Sequence, residues 1–463
     1  MPPGDPQDPG PKEALITGLF RSAEVTHVFV HDVMSEPNSA AIARMLPGCE
    51  LYAERALLLA RPQDIVCVPQ PVDEDFLAFL GEMGIGCARE NIVPAPARDG
   101  AASGRTLPER FLSSRASVQQ IADRIAESQK VMLNPYVATR AESALAAALQ
   151  RVLGREVQVM GGDPDVVNSI HQKHTGKAMA VEMDVPVAPG EVVELATGPN
   201  GRPLDLSVLR GALERNLGRT GRAIIRGSCS SSGSATVVAR NDSSSIRKAL
   251  EAVAQKRENS VYLVDAMFDC AVSPNIQIFV PPDGRAMACV SATDQRLDAA
   301  LVHKGNLWPS KAERLPEMVA AARRISERLR SEGFSGLAGF DFVEYDSPHT
   351  GRREWFLAEL NPRTNGAAYP KAIVETLNRQ RERLDLPLLR AFLSATAGTT
   401  AQSFAEFRRR HERLSYEPGR GGGLFPYNVG CLSKGRIGVA FLGQSMEEVR
   451  SMHDEFRQVC VET

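Results

Sequence analysis

Along this chain, short apolar runs alternate with stretches whose apolar residues recur at helical spacing. Val25–Val30 and Asp64-Ile65-Val66-Cys67-Val68 read as buried strands, Asp73–Met83 as a helix, and Ile92-Val93 as the start of another strand. Thr139-Arg140-Ala141-Glu142 is a capping box, opening a helix with Leu145, Leu149 and Val152 on one face. This rhythm over residues 22–160 predicts an open α/β domain. No Gly-x-Gly-x-x-Gly follows any of its strands, so it is not read as a dinucleotide binder.

From about residue 161 the texture changes. A helix is expected from Asn168 to about Met183, followed by Asp184-Val185-Pro186-Val187-Ala188-Pro189-Gly190. Residues 223–239 read as two short strands around a Gly/Ser loop, with further strands near 261–264, 276–280 and 286–290. The next helix has Pro316 near its start, Gly333 past its end, and Met318, Ala322, Ile325 and Leu329 as its apolar stripe. Gly339–Val343 and Phe356–Arg363 read as two strands joined by a hairpin loop, Tyr345–Gly351. After Thr400 come the glycine-rich Tyr416–Gly423 and a strand at Ile437–Leu442. A last helix opens at Ser445-Met446-Glu447-Glu448. The expected divisions are a flexible tail at 1–20, an α/β domain at 21–160, a core at 161–395 with a lid subdomain at about 190–265, and a C-terminal unit at 396–463.

At 463 residues, the chain is too long for one core, so two or three domains are expected. A net charge of -2 offers no basic footprint for nucleic acid. No apolar run approaches the ~20 residues that cross a bilayer. Met1–Pro11 is rich in Pro, Gly and Asp and lacks a basic start and an apolar core, so it reads as a tail and not a secretory signal. Eight cysteines lie far apart with no Cys-x-x-Cys pair, indicating neither a zinc site nor a disulfide framework. A reducing cytoplasm is the expected location.

Chemistry concentrates in the hairpin. Side chains alternate along a strand, so Glu359, Asn361 and Arg363 share a face, to which Asp341 on the partner strand adds a second carboxylate. Two carboxylates and an amide are hard oxygen donors suited to Mg²⁺ held together with phosphates, and Arg363 can clamp a phosphoryl group. The alternative is a merely solvated strand face. The loop from Gly227 to Ala235, with Ser232, Gly233 and Ser234, either forms an anion nest of backbone amides or is a plain flexible turn. Arg226 enters that loop, and Lys173 lies thirteen residues before Pro186. Each is a phosphate ligand or an ordinary surface cation. His171 and His174 are three apart on a helix, with no third metal ligand evident. Asp294-Gln295-Arg296 and His303-Lys304-Gly305-Asn306 are either substrate-pocket loops or structural ones, and Gly421-Gly422-Gly423 a lid or a linker.

Taken in order, these features resemble the ATP-grasp superfamily over about residues 165–395. The series runs from a lysine helix ending in Val-Pro-x-x-Pro-Gly, through a basic residue before a Gly/Ser hairpin, to Val261-Tyr262-Leu263-Val264-Asp265. It ends with Gly-x-x-Gly-x-Asp and Glu-x-Asn-Pro-Arg. The preceding segment is similar to a pre-ATP-grasp domain, and the ending around Tyr427-Asn428-Val429 to the ATP-grasp peptide ligases of the pheganomycin-biosynthesis type. The resemblance implies an α/β protein with an open N-terminal pre-ATP-grasp domain, a two-lobed α+β core and a small C-terminal strand–helix domain. It also implies ATP and Mg²⁺ as cofactors, with Lys173 near the α-phosphate and Arg226 where the family usually has a second lysine. Asp265 stands in the place of a ribose-binding acid that is usually Glu, and the backbone of Val264 would meet the adenine. Asp341, Glu359 and Asn361 match the metal ligands, and Arg363 the arginine facing the transferred phosphate. The implied activity is carboxylate–amine ligation through an acyl phosphate, forming a peptide bond in specialised metabolism. Its partners would be a small carboxylic acid and an amine or peptide; the oligomeric state stays open, a twofold homodimer being one option. The alternatives are an acyl-phosphate enzyme with another nucleophile, and an ATP-binding scaffold whose Arg226 and Asp265 mark degeneration.

Overall fold

The computed structural model describes residues 13–20, 22–37, 39–97, 105–229, 236–255 and 259–460, and within them eighteen strands form three sheets. The first holds β1 (Val25–Val30), β2 (Ile65–Val68), β3 (Ile92–Pro94), β4 (Lys130–Pro135) and β5 (Val157–Val159), all parallel, in the order β3-β2-β1-β4-β5. Its apolar runs are buried, as parallel strands covered by helices require. The helix Arg140–Leu153 starts at the expected box: the Thr139 hydroxyl accepts from Ala141 N, and Glu142 reaches back to Thr139 N. Gly154 ends it in the left-handed conformation, φ 67°.

The second sheet is antiparallel: β6 (Gly190–Glu194), β7 (Arg222–Gly227), β8 (Thr236–Arg240) and β9 (Val261–Ala266), in the order β6-β9-β7-β8. Helices Ser207–Thr220 and Ser243–Ala254 supply its cover, and its apolar cluster draws only on residues between Val193 and Val264. We call this unit the lid sheet.

The third sheet contains β10 (Cys270–Val272), β11 (Pro274–Val280), β12 (Ala288–Leu297), β13 (His303–Trp308), β14 (Gly336–Asp346), β15 (Arg353–Asn361), β16 (Ala391–Gly398), β17 (Gly423–Tyr427) and β18 (Arg436–Gly443). Its order is β10-β14-β11-β12-β13-β16-β18-β17, with β15 also paired to β14. The C-terminal strands thus continue the core sheet through β16 and β13. Met318, Ala322, Ile325 and Leu329 of the helix Leu315–Ser331 are buried as their spacing predicts.

Four expectations need correction. The helix expected from Asn168 to about Met183 is two helices, Pro164–His171 and Lys173–Glu182, with Gln172 extended between them (φ −72°, ψ 127°). The second helix begins by docking on the lid sheet, Lys173 N donating to Ser228 O and His174 N to Ser228 Oγ. Those bonds satisfy amides that a helix start leaves open, and the chain bends to make them. The expected flexible tail is packed where it is described: Ile16 and Phe20 are buried, and the Ile16 and Thr17 amides donate to the Glu375 carboxylate. Strand β9 runs on to Ala266, past Val264. The glycines 421–423 form neither lid nor linker. Gly423 opens β17, and a Cβ on Gly422 would lie 2.2 Å from Leu442 O.

His27 on β1 is buried between Phe20 and Phe29, and burial lowers its pKa to about 4, Asp64 opposing and Arg61 adding to the shift. The folded chain keeps this ring neutral, whereas the unfolded chain protonates it at the ordinary value near 6.5. Its contribution to stability is therefore lost as pH falls from about 6.5 towards 4. We expect the stability difference between wild type and His27→Leu, from urea midpoints, to move in the variant's favour by about 1.4 kcal/mol per pH unit in that window. A difference independent of pH would show that the ring is solvated.

Candidate active site

The hairpin β14–β15 places Asp341 directly opposite Glu359, and Gly339 opposite Asn361. Like charges facing each other across a ladder repel, so this pair needs compensation. Lys173 Nζ lies 3.0 Å from Glu359 Oε1. Asn275 on β11 donates to Asp341 Oδ1 at 2.6 Å, and Asn361 Nδ2 to Asp341 Oδ2 at 3.1 Å. Burial and then the Glu359 charge push the Asp341 carboxyl up to about 7. Burial pushes Glu359 the same way, but Lys173, Arg226 and His171 outweigh it and hold that carboxyl below its ordinary value.

Both amides beside Asp341 leave their carbonyl oxygens, Asn275 Oδ1 and Asn361 Oδ1, buried without a hydrogen-bond partner. An orphaned oxygen next to two close carboxylates fits a hard divalent cation, which would relieve the repulsion and satisfy the amide together. Asp341, Glu359 and Asn361 are therefore suited to hold Mg²⁺. No cluster of three or more His, Cys, Asp or Glu side chains with metal-binding geometry occurs among the described residues, so the amide is needed to complete the donor set.

Arg363, just past β15, forms an ion pair with Glu36 (Nε to Oε1, 2.7 Å), and its guanidinium lies 5.1 Å from the Tyr136 ring centroid. Arg226 bridges the lid sheet and the core, donating to Ala358 O at 2.8 Å and to Asp265 Oδ2 at 2.6 Å. Lys173, Arg226, Arg363, Asp341, Glu359 and Asn361 all line one cavity of about 340 Å³. Gln295 and residues 303–306 line it too, whereas Asp294 instead accepts from Ser310 and Lys311.

The remaining expected positions fall elsewhere. Ser232, Gly233 and Ser234 lie outside the described residues. Val264 pairs with β6 on one side and β7 on the other, so its backbone is taken up by the sheet and does not offer an edge to a base. Asp265 is fully buried, its two oxygens held by Lys177 and Arg226. It is an internal counter-ion here, not a hinge acid facing a ribose. Lys173, Lys177, Arg226 and Asp265 surround a second space of only about 10 Å³, so the cleft between lid sheet and core is filled by these charged side chains. A nucleotide base fits there only if they move. His171 faces Glu36 at 3.6 Å and His174 bonds Ser228, so the two histidines do not converge on a metal. Cys229 is half-buried, and burial raises its thiol pKa, which removes any reason to read it as a nucleophile.

Glu36, Asn275, Tyr136 and Lys177 were missed in the sequence. Asn275 had a signal, since Asn275 and Gln277 alternate as polar positions within an otherwise apolar buried strand. Glu36 and Tyr136 follow β1 and β4 of the parallel sheet, at the carboxyl ends where open α/β sheets form crevices.

A family model of the Pre ATP-grasp domain matches residues 53–151. No curated protein matches this chain. Among solved structures, biotin carboxylase from Campylobacter jejuni, in complex with β,γ-ATP, is 11% identical and has a TM-score of 0.55; the match covers 95% of this chain and 92% of that one. N5-carboxyaminoimidazole synthetase from Staphylococcus aureus, complexed with ADP, is 9% identical with a TM-score of 0.52, covering 94% and 97%. The biotin carboxylase domain of the 2-oxoglutarate carboxylase from Hydrogenobacter thermophilus, with MgADP and bicarbonate, is 11% identical with a TM-score of 0.51, covering 95% and 90%. The chain thus has an ATP-grasp fold, with a Pre ATP-grasp domain matched in its N-terminal part.

Proposed function

We propose that this chain is an ATP- and Mg²⁺-dependent, ADP-forming ligase that joins a carboxylate to an amine, making a peptide bond in specialised metabolism. The observation that carries this reading is the convergence of the Asp341/Glu359 pair, the orphaned Asn361 Oδ1 and the cations Lys173, Arg226 and Arg363 on one cavity wall. The like fold of enzymes solved with ADP, MgADP and an ATP analogue supports the nucleotide.

Bound Mg-ATP would supply a phosphoryl group that turns the acid into an acyl phosphate, from which an amine displaces phosphate. The protein's own part is positioning and charge neutralisation, which phosphoryl transfer chiefly demands. Asp341, Glu359 and Asn361 would hold the metal, with Lys173 and Arg226 on the phosphates and Arg363 on the transferred group. Glu36 fixes the Arg363 guanidinium from behind. His303 lines the same cavity, and burial lowers its pKa, which favours the neutral ring.

One observation favours a second reading, a nucleotide-free scaffold: the ion pairs of Lys177 and Arg226 with Asp265 fill the cleft where the lid meets the core. Titration of wild type with Mg-ATP separates the two. Binding is expected under the ligase reading, and its absence would favour the scaffold.

ADP release from Mg-ATP across a panel of acids and amines tests the reaction itself, with amine-dependent release and a product formed by condensation as the expected result. Glu359→Gln should abolish release while leaving the circular dichroism unchanged, and normal turnover would remove the metal assignment. Arg226→Lys keeps the charge but cannot make both bonds of the fork, so we expect turnover to fall by about tenfold. Asp265→Ala strands two largely enclosed cations and should lower stability by about 3 kcal/mol in urea denaturation, a smaller loss meaning that water reaches them.

A further inference from the structure

Arg55 lies on the short helix Cys49–Leu58, far from the hairpin in sequence, yet it lines the same cavity. Its side chain is buried, with the residue 7% exposed. The guanidinium sits 4.3 Å from the ring centroid of Tyr369, 4.9 Å from that of Tyr136 and 5.3 Å from that of Tyr52. Its Nε and Nη2 are buried without a hydrogen-bond partner, and among the described residues it interacts with the hydroxyls of Tyr136, Tyr369 and Tyr52 and not with a carboxylate. Other arginines of the interior have carboxylate or carbonyl acceptors: Arg363 has Glu36, Arg226 has Asp265 and Ala358 O, and Arg381 has the carbonyls of Pro387 and Arg420.

A buried cation without an anion is costly, and stacking on tyrosine faces offsets only part of that cost. Burial works against the charge, and the surrounding tyrosines, not an acid, keep it in place. A planar fork at a cavity wall with two unmatched donors is suited to a carboxylate that arrives with a ligand. Two neighbours strengthen this reading. The Tyr136 ring carries Arg55 near it and Arg363 near it too, so one ring joins this position to the arginine beside the paired carboxylates. Asn428 lines the cavity from a left-handed backbone (φ 52°), and its buried Oδ1 has no donor, leaving an acceptor for a ligand N–H.

We propose that Arg55, framed by Tyr52, Tyr136 and Tyr369, anchors a substrate carboxylate other than the one activated at the hairpin. Assigning that carboxylate to a substrate rests on the ligase reading, and it belongs either to a dicarboxylic acid or to an amino acid serving as the amine. The substrate class is in both cases a molecule with a free carboxylate held away from the reacting centre.

The test uses the full chain without nucleotide, titrated calorimetrically with two pairs of probes: glutarate against butyrate, and alanine against alaninamide. We expect wild type to prefer the member with the additional carboxylate, glutarate or alanine, in one pair by about tenfold or more, the pair identifying the source. Arg55→Met should erase the preference, and Arg55→Lys should retain part of it. Ligand-free Arg55→Met should also melt higher than wild type, because it removes an uncompensated buried charge and Met packs well on aromatic rings. A wild type without preference up to about 10 mM in either pair overturns the proposal. So does an Arg55→Met chain that keeps the preference, or one that melts lower with binding unchanged, which would make Arg55 a packing residue. A parallel Mg-ATP titration of wild type keeps the two ideas apart. An Arg55-dependent preference without nucleotide binding sinks the ligase and leaves the subsite, and the reverse result sinks the subsite alone.

Discussion

Two carboxylates held opposite each other on neighbouring strands set the terms for everything around them. Asp341 and Glu359 are fixed by backbone pairing, so they cannot retreat from one another. Their repulsion is met by a lysine from the start of a helix, by two asparagine amides and, further out, by arginines that themselves need partners. That requirement propagates outward. Arg363 takes Glu36 from the N-terminal sheet region, and Arg226 takes Asp265 from the lid sheet. The three sheets therefore meet at a network of charges, each sheet supplying at least one member.

The same logic accounts for the bend at Gln172. A single helix through residues 164–183 would satisfy local propensity. The observed break lets Lys173 begin a new helix whose first amides dock on Ser228, which brings its ammonium to Glu359. Tertiary bonds to open helix amides outweigh the continuity that the sequence pattern favours.

Much of the hairpin was legible because strand alternation is a local rule: Glu359, Asn361 and Arg363 two apart, with Asp341 before a turn, point to one face without any knowledge of the rest. The helix Arg140–Leu153 and the stripe of Leu315–Ser331 were legible for the same reason. Val264 and Asp265 were not, because the length of β9 is decided by β6 and β7, which flank it and come from distant segments. Asp265 stood as a ribose-binding acid only so long as Lys177 and Arg226 were not known to converge on it. Arg55 was invisible as well. Tyr52 is close by in sequence, but Tyr136 and Tyr369 reach it only through the fold. Ordered motifs along the chain pointed to the superfamily, whereas the residues that shape the cavity's far wall follow no short pattern.

The lid sheet keeps its own apolar cluster, closed between Val193 and Val264, and makes polar contacts with the hairpin and with the helix Lys173–Glu182, such as Arg226 to Ala358 and Lys177 to Asp265. Separating it from the core would then expose charged and amide groups and leave that cluster intact. Heat capacity on exposure follows apolar area, and polar area contributes with the opposite sign. Separation of this sheet from the core should accordingly lack the positive heat-capacity change of apolar exposure, its balance set by ionic strength and by competing anions more than by temperature.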